Sequence, residues 1–153
     1  MTQSHHSIAQ SRGQGHRQGT QTTLAFDDSV SINERSHVMR AIKSAEASKH
    51  RTRVGATLVV AGRVTSVSNR LRNEKTAAPY TEQSVHAEVR AVLRAYRAGR
   101  GGTIYVARLG KRGRLLASHP CKRCVPVLLE AGVKRVVWWT GDRWIADRLS
   151  VRD

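Results

Sequence analysis

Cysteines, acidic residues and long hydrophobic runs are all scarce in this sequence of 153 residues. The two cysteines, Cys121 and Cys124, lie in a single CxxC. They are too few and too close together for a disulfide framework, which favours a metal or redox role in a reducing compartment. No apolar run approaches the roughly 20 residues that span a bilayer, and the N-terminus lacks the pattern of a secretory signal. We therefore expect a soluble, cytoplasmic protein without a membrane-spanning segment.

Acidic residues are outnumbered by basic ones, 11 against 27, which gives a formal net charge of +16. Such a surface attracts polyanions, including nucleic acid. A compositional bias or a requirement for solubility explains the same surplus without any partner. Arg12 and Arg17 are the only lysine or arginine residues among the first 23. Most of the positive charge therefore belongs to the remainder of the chain.

The N-terminal segment differs in composition from the rest. Its first 23 residues are rich in Gln, Ser, Gly, His and Thr and have almost no apolar content, so burial cannot offset the entropy lost on ordering. We predict a disordered tail over 1–23 and one folded domain over 24–153, which is long enough to bury a core without disulfides. His5 and His6 in the tail are expected to be solvated.

A helix and a hairpin are predicted first in the folded part. Ser31 and Glu34 have the spacing of a capping box, with Ser31 at N-cap and Glu34 at N3 of a helix. Two β-runs follow, about 54 to 60 and 63 to 69. The two residues between them are expected to form a tight turn.

Two more helices alternate with strands in the remainder. Ser84 is expected to cap a helix that Gly99 ends, and Cys121 to begin another that Gly132 ends. Strands are predicted at TIYVAR (103–108), at VKRVVWWT and, as an antiparallel return, at WIADRLSV. Helices between β-runs indicate an α/β protein whose mixed sheet is covered by helices.

Chemistry-bearing residues lie at the starts of the second and third helices. His86 and Glu88 begin one helix, and Cys121 and Cys124 begin the next. If the two helices lie side by side, a right-handed crossover brings their N-termini to the same edge of the sheet. One imidazole and two thiolates would then converge, and three protein ligands with one open position is the pattern of a catalytic zinc site.

Other interpretations of these residues remain open. CxxC alone is also typical of redox sites, and His86 and Glu88 as ordinary helix-start residues beside a thiol pair explain the sequence without any chemistry. A structural zinc finger needs a fourth ligand, which the chain does not supply at suitable spacing. Glu88 favours the catalytic interpretation, because a carboxylate two residues after a ligand can transfer protons at the metal.

HAE at 86–88, followed by PCKRC at 120–124, resembles the signature of the cytidine deaminase-like superfamily. The resemblance implies an α/β fold, a three-layer α/β/α sandwich with a mixed, roughly five-stranded central sheet. It also implies Zn²⁺ held by His86, Cys121 and Cys124. The implied reaction is hydrolytic deamination, in which zinc-bound hydroxide attacks the carbon bearing the amine while Glu88 shuttles protons.

The same resemblance implies the substrate contacts. Backbone groups at Ala87, and at Ser118 or His119, would read the base, and Tyr80 is a candidate to line it. Asn69 would hydrogen-bond the sugar, although a role as a turn residue explains Asn69 equally well. The SxPC form that contains Ser118 is more similar to deoxycytidylate and polynucleotide cytidine deaminases than to adenosine deaminases, which favours conversion of cytosine to uracil.

The expected substrate is a cytidine or deoxycytidine nucleoside or nucleotide, free or within a single-stranded nucleic acid, so the process is nucleotide metabolism or nucleic-acid editing. The candidate phosphate contacts are the basic residues around the loop that should border the zinc: Arg112, Arg114, Lys122 and Arg123. Two alternatives remain open, an adenine or guanine deaminase on the same scaffold and a non-catalytic, basic nucleic-acid-binding zinc protein. The sequence is compatible with a homo-oligomer.

Overall fold

A computed structural model of the chain describes residues 25–71, 84–95 and 99–151. The predicted tail over 1–23, with His5 and His6, lies outside these residues, so the domain boundary after residue 23 stays a prediction. Among the described helices, none is long and apolar enough to cross a membrane.

The described residues form a mixed sheet with helices on both faces. The strands are β1 (Arg53–Val60), β2 (Arg63–Ser68), β3 (Arg70–Leu71), β4 (Ser84–Val85), β5 (Thr103–Leu109), β6 (Leu115–Leu116), β7 (Arg135–Trp139) and β8 (Trp144–Arg148). The helices are α1 (Arg35–Glu46), α2 (Ala87–Arg94) and α3 (Cys124–Glu130). Short 3₁₀ turns precede α1 at Ile32–Glu34 and follow β5 at Lys111–Gly113.

The main sheet has the order β2-β1-β5-β7-β8, and the short β6 pairs with the end of β5. β5 and β7 are parallel, whereas the other paired strands are antiparallel. The predicted mixed sheet of roughly five strands is confirmed, with β6 as a sixth, short strand. The antiparallel return predicted at WIADRLSV is β8.

The hairpin of β1 and β2 forms as its sequence predicts. Val60 pairs with Arg63 at its end, and the two turn residues have positive φ, 48° for Ala61 and 82° for Gly62. Positive φ at both central residues is the conformation that matches the twist of a two-residue hairpin. The turn therefore fixes the register of β2 on β1.

Two hydrophobic cores, one on each face of the sheet, make three layers. Side chains of β5 alternate between them: Ile104 and Val106 pack with α2 and α3, whereas Tyr105 and Ala107 pack with α1. This alternation is the period of a strand that is buried on both faces. The predicted three-layer α/β/α sandwich is confirmed.

The start of α2 differs from the prediction. Ser84 is not its N-cap, because residues 84 and 85 form β4 and pair with β3. The N-cap is His86, in extended conformation at φ −65° and ψ 144°. The short β3–β4 ladder keeps the chain extended up to His86 and delays the helix by two residues. Similarly, α3 begins at Cys124 instead of Cys121.

Glu34 joins the start of α1 to the sheet. Its carboxylate accepts hydrogen bonds from the Ser31 backbone N–H at 2.8 Å, from the Tyr105 hydroxyl at 2.8 Å and from Arg135 Nη2 at 3.0 Å. Burial alone would raise the pKa of Glu34, but the bonds from Arg135, Ser31 and Tyr105 outweigh it and lower the pKa from 4.5 to about 2. The predicted capping box therefore also anchors α1 to β5 and β7.

We expect Glu34→Gln to lower the free energy of unfolding at pH 7 by about 1–3 kcal/mol, because the amide cannot replace a carboxylate that accepts charge-assisted bonds. The folded pKa of about 2 lies below 4.5, so this stabilisation is present above about pH 5 and is lost as the pH falls towards 2. Urea unfolding at pH 7 and pH 3 measures it. Glu46→Gln, at the exposed last residue of α1, is the control. A difference in unfolding free energy between Glu34→Gln and wild type that is the same at pH 3 as at pH 7 would contradict the expectation.

Candidate functional site

The structure brings His86, Cys121 and Cys124 together. Their ligand atoms all lie within 4.8 Å of one another. His86 Nδ1 is 3.2 Å from Cys124 Sγ and 3.4 Å from Cys121 Sγ, and the two sulfurs are 3.4 Å apart. Cys121 is partly buried and Cys124 is buried.

Local backbone geometry turns each of these side chains towards the others. The extended His86 precedes α2, and its carbonyl accepts the Arg90 N–H at 3.0 Å, the first bond of the helix. The Cys121 carbonyl accepts the N–H groups of Cys124 and Val125 at 3.0 and 3.1 Å. This turn places both sulfurs on the side that faces His86.

The donor set fits zinc. Zinc bonds of about 2.0–2.3 Å at tetrahedral angles separate the ligand atoms by about 3.6–3.8 Å, slightly more than the 3.2–3.4 Å between these donors. An imidazole with two thiols is a typical zinc donor set, and a third thiol or second imidazole is not among the residues that meet here. The cluster therefore leaves one coordination position for a small ligand.

Burial sets the protonation of the acidic groups beside the cluster. Burial raises the pKa of the Cys124 thiol, and the charge of Glu88 and the neighbouring Cys121 raise it further. Burial also raises the pKa of Glu88, against the lowering effects of its own backbone N–H, of His86, of Cys124 and of the Arg108 charge. A cation at the cluster would reverse this preference by stabilising the thiolates.

Glu88 lies in the first turn of α2, with 5% of its surface exposed. Together with His86 and Cys121 it lines a pocket of about 350 Å³, whose apolar wall includes Val54 and Val106. Among the described residues that line this pocket, Glu88 is the one acid. A carboxyl group thus lies inside the pocket next to the donor cluster.

The substrate contacts implied by resemblance are placed unevenly. Ala87, Asn69, Ser118 and His119 line the pocket. Tyr80 lies outside the described residues. The basic residues predicted to contact phosphate are all exposed and none is among the residues that line this pocket: Arg112, Arg114, Lys122 and Arg123. The roles of these residues stay predictions.

The Asn69 side chain holds the segment that leads into β1. Its Oδ1 accepts hydrogen bonds from the Ser48 hydroxyl at 2.6 Å and the Val54 N–H at 3.0 Å, while its Nδ2 donates to the Thr52 carbonyl at 2.8 Å. Asn69 is 6% exposed. These bonds use both lone pairs and one of the two amide hydrogens, so a scaffold role is present whatever else Asn69 contacts.

Ser118 also has a structural role. Its hydroxyl donates to the Val106 carbonyl at 2.6 Å and accepts the Trp139 N–H at 2.9 Å, and its own N–H donates to the Trp139 carbonyl at 3.0 Å. These bonds fix the PCxxC loop to β5 and β7. The ring of His119, the next residue, packs edge-on against Trp138 with centroids 4.9 Å apart and forms part of the pocket wall.

Sequence reasoning missed three polar residues of the pocket: His50, Thr52 and Arg108. For Arg108 a signal existed, because the alternation of β5 puts it on the same face as Val106. His50 and Thr52 precede β1 in a segment without a motif. Only the pairing of β1 with β5, in which Val54 is opposite Arg108, brings that segment to the pocket.

Comparison with known proteins identifies similar chains. Residues 32–140 match the family model described as the cytidine and deoxycytidylate deaminase zinc-binding region, and no curated protein matches the chain. Similar solved structures include a cytidine deaminase from Burkholderia pseudomallei, with TM-score 0.57 and 21% identity over 74% of this chain and 91% of that one.

Two mycobacterial structures are similar as well. A cytidine deaminase from Mycobacterium tuberculosis has TM-score 0.51 and 27% identity over 78% of this chain and 92% of that one. One from Mycobacterium leprae has TM-score 0.53 and 23% identity over 78% and 95%. These likenesses extend over most of both chains and agree with the observed fold.

We expect the purified protein to hold about one zinc ion per chain, and Cys124→Ser to lose most of it, because a hydroxyl is a weak zinc ligand compared with a thiolate. Metal content after dialysis, measured by mass spectrometry, checks this. His119→Ala is the matched control, since His119 neighbours Cys121 in the loop but is outside the cluster. Equal zinc in wild type and Cys124→Ser would contradict the assignment.

We expect Asn69→Ala to lower the free energy of unfolding by about 2–3 kcal/mol, because it leaves buried partners without their hydrogen bonds. Asn69→Asp should lose less, since it keeps the acceptor for Ser48 and Val54. Denaturant unfolding measures both, with Asn33→Ala, an exposed asparagine, as the control. An Asn69→Ala variant as stable as wild type would show that the scaffold role is negligible.

Proposed function

Because the chain belongs to the cytidine and deoxycytidylate deaminase family, we propose that it hydrolyses cytosine to uracil and ammonia in a cytidine or deoxycytidine nucleotide, free or within a single strand. The observation that supports this most is the buried Glu88 carboxyl group in the same pocket as His86 and Cys121, two members of the cluster that Cys124 completes. A buried proton carrier beside a three-ligand cluster suits hydrolysis better than metal storage or a structural role.

His86, Cys121 and Cys124 would hold the zinc. When bound, zinc supplies a Lewis acid that lowers the pKa of water. The residues themselves supply orientation: the two cysteines are held by the turn at the start of α3, and His86 by the end of the β3–β4 ladder. This positioning is independent of the substrate, so the site is ready before the substrate enters.

Glu88 carries the protons in this proposal. As water adds to the carbon that bears the amine, the carboxylate accepts a proton, and it then delivers the proton to the exocyclic nitrogen so that ammonia leaves. Burial of Glu88 raises its pKa, which suits a group that must hold a proton between these two steps. Bulk water is largely excluded from the carboxyl group, so the proton stays within the site.

The first turn of α2 supports recognition of the base. The first N–H groups of a helix have no intrahelical acceptor, and Ala87, the first residue of α2, lines the pocket. We propose that the Ala87 N–H donates to a base oxygen. Because the N–H of Ser118 already donates to Trp139, the contact from the PCxxC loop would come from the Ser118 carbonyl or the His119 backbone.

The setting of the enzyme is part of the same proposal. Thiol ligands remain available in a reducing compartment, which favours the cytoplasm. The basic surface favours an anionic substrate, a nucleotide or a single strand, over a neutral one. A homo-oligomer stays a prediction for gel filtration with light scattering.

We expect Glu88→Gln to retain the fold and about one zinc per chain, and to lower kcat by at least about 10³-fold, because the amide cannot carry a proton. The measurement is mass spectrometry of cytidine, dCMP and a cytosine-containing oligonucleotide after incubation with each protein. Glu130→Gln, an exposed glutamate on α3, is the control for the loss of one negative charge.

The outcomes separate the alternatives. The proposal is supported if wild type and Glu130→Gln convert a cytosine substrate to uracil and Glu88→Gln does not. Conversion of adenine or guanine substrates but of no cytosine substrate would replace it with a purine deaminase. Strand binding without turnover of any base, unchanged in Glu88→Gln, would instead indicate a zinc protein that only binds nucleic acid.

A further inference from the structure

Arg108 lies at the mouth of the pocket, on the same face of β5 as Val106. Ile104 and Val106 of this face are buried in the core that α2 and α3 form with the sheet. Arg108 is exposed there and lines the pocket. Glu88 and Val106 line the same pocket, so Arg108 shares the cavity with the donor cluster and its carboxyl group.

Arg108 has no acidic partner among the described residues. The ion pairs among the described residues join Arg135 to Glu34, and Arg143 to Asp27 and Asp142. An unpaired guanidinium at a concave surface offers five N–H donors in a planar fork, which matches the oxygens of a phosphate.

The segment that leads into β1, next to the end of β5, adds polar groups to the pocket and no negative charge. His50 and Thr52 line the pocket, and the Thr52 N–H donates to His50 Nδ1 at 3.1 Å. The Thr52 carbonyl oxygen is also 3.1 Å from His50 Nδ1, so the ring is held by its own segment at this nitrogen. The two strand ends are fixed to each other, because Arg53 Nη2 donates to the Gly110 carbonyl at 3.1 Å.

The size of the pocket leaves room for more than a base. At about 350 Å³ it is within the range of pockets that take whole small ligands. A neutral nucleoside has no group that a cation at the mouth would bind. A nucleotide has one, the phosphate on its sugar. Arg108 lines the pocket, whereas Arg112 and Arg114 are exposed and do not line it.

We propose that Arg108 binds a phosphate attached to the sugar of the substrate, and so makes a phosphorylated cytosine nucleoside the preferred substrate. This inference rests on the proposed deamination. The phosphate belongs either to a free nucleotide or to a strand, and the two sources are separated below.

The test compares substrates that differ only in phosphate. For Arg108→Ala we expect kcat/KM to fall about ten- to a hundredfold on dCMP and less than about threefold on deoxycytidine. Because both substrates meet the same Glu88, an effect of the lost charge on catalysis changes both equally and cancels in the ratio. Arg108→Lys keeps the charge without the planar fork, and its loss should be smaller.

Arg148→Ala is the matched control, another exposed arginine at the end of a strand, on β8, outside the pocket. A cytosine-containing oligonucleotide forms the third arm. If Arg108→Ala is impaired more on dCMP than on deoxycytidine, the phosphate is that of a free nucleotide. If it is impaired on the oligonucleotide while dCMP and deoxycytidine are affected equally, the phosphate is that of a strand. Either result supports the inference.

The inference is overturned if Arg108→Ala loses kcat/KM equally on all three substrates or loses none. It is also overturned if Arg114→Ala, and not Arg108→Ala, shows the selective loss. Binding of dUMP and of deoxyuridine, measured by calorimetry, tests Arg108 without turnover. Wild type should bind dUMP at least about tenfold more tightly than deoxyuridine, and Arg108→Ala should remove this preference. No preference for dUMP in wild type, together with no selective loss on the oligonucleotide, overturns the inference. Absence of any deamination, with the dUMP preference intact, refutes the proposed function and leaves the phosphate site standing.

Discussion

The site depends on the packing of α2 and α3 side by side on one face of the sheet. Ala91 of α2 and Leu128 of α3 belong to the same core as Val106 of β5, and burial of such apolar surface contributes about 25 cal/mol per Å². Both helices begin at the end of the sheet where the pocket opens. His86 and the two cysteines therefore meet because of hydrophobic packing. Apolar core residues, which cannot bind a metal, bring the donor atoms together.

The alternation of β5 links that face to the opposite one. Tyr105 donates to Glu34, which holds α1 and Arg135, whereas Val106 forms the pocket wall and Arg108 its mouth. One strand thus takes part in the anchor of α1 and in the pocket, with neighbouring residues on opposite sides. A shift of its register by one residue would exchange these sets, so the pairing of β5 with β1 and β7 is a condition for the site.

The sequence predicts those features that depend on neighbours along the chain. The capping box at Ser31, the turn of the β1–β2 hairpin and the motif that contains Glu88 are local signals, and the structure has each of them. The start of α2 could not be predicted, because it depends on the β3–β4 ladder and not on the residues at Ser84. His50 enters the pocket only through the pairing of β1 with β5, which no local pattern encodes.

The excess of basic residues acquires meaning only through position. Arg135 has a carboxylate partner in Glu34, and Arg90 donates to the Ser68 carbonyl, so their charges serve the fold. Arg112 and Arg114 are exposed on a loop, where solvent and salt screen them. Arg108 differs from all of these because it is exposed and also lines the pocket that contains the buried Glu88. Net charge therefore describes the whole surface, whereas the position of one guanidinium at the pocket is what the proposed selectivity for a phosphorylated substrate depends on.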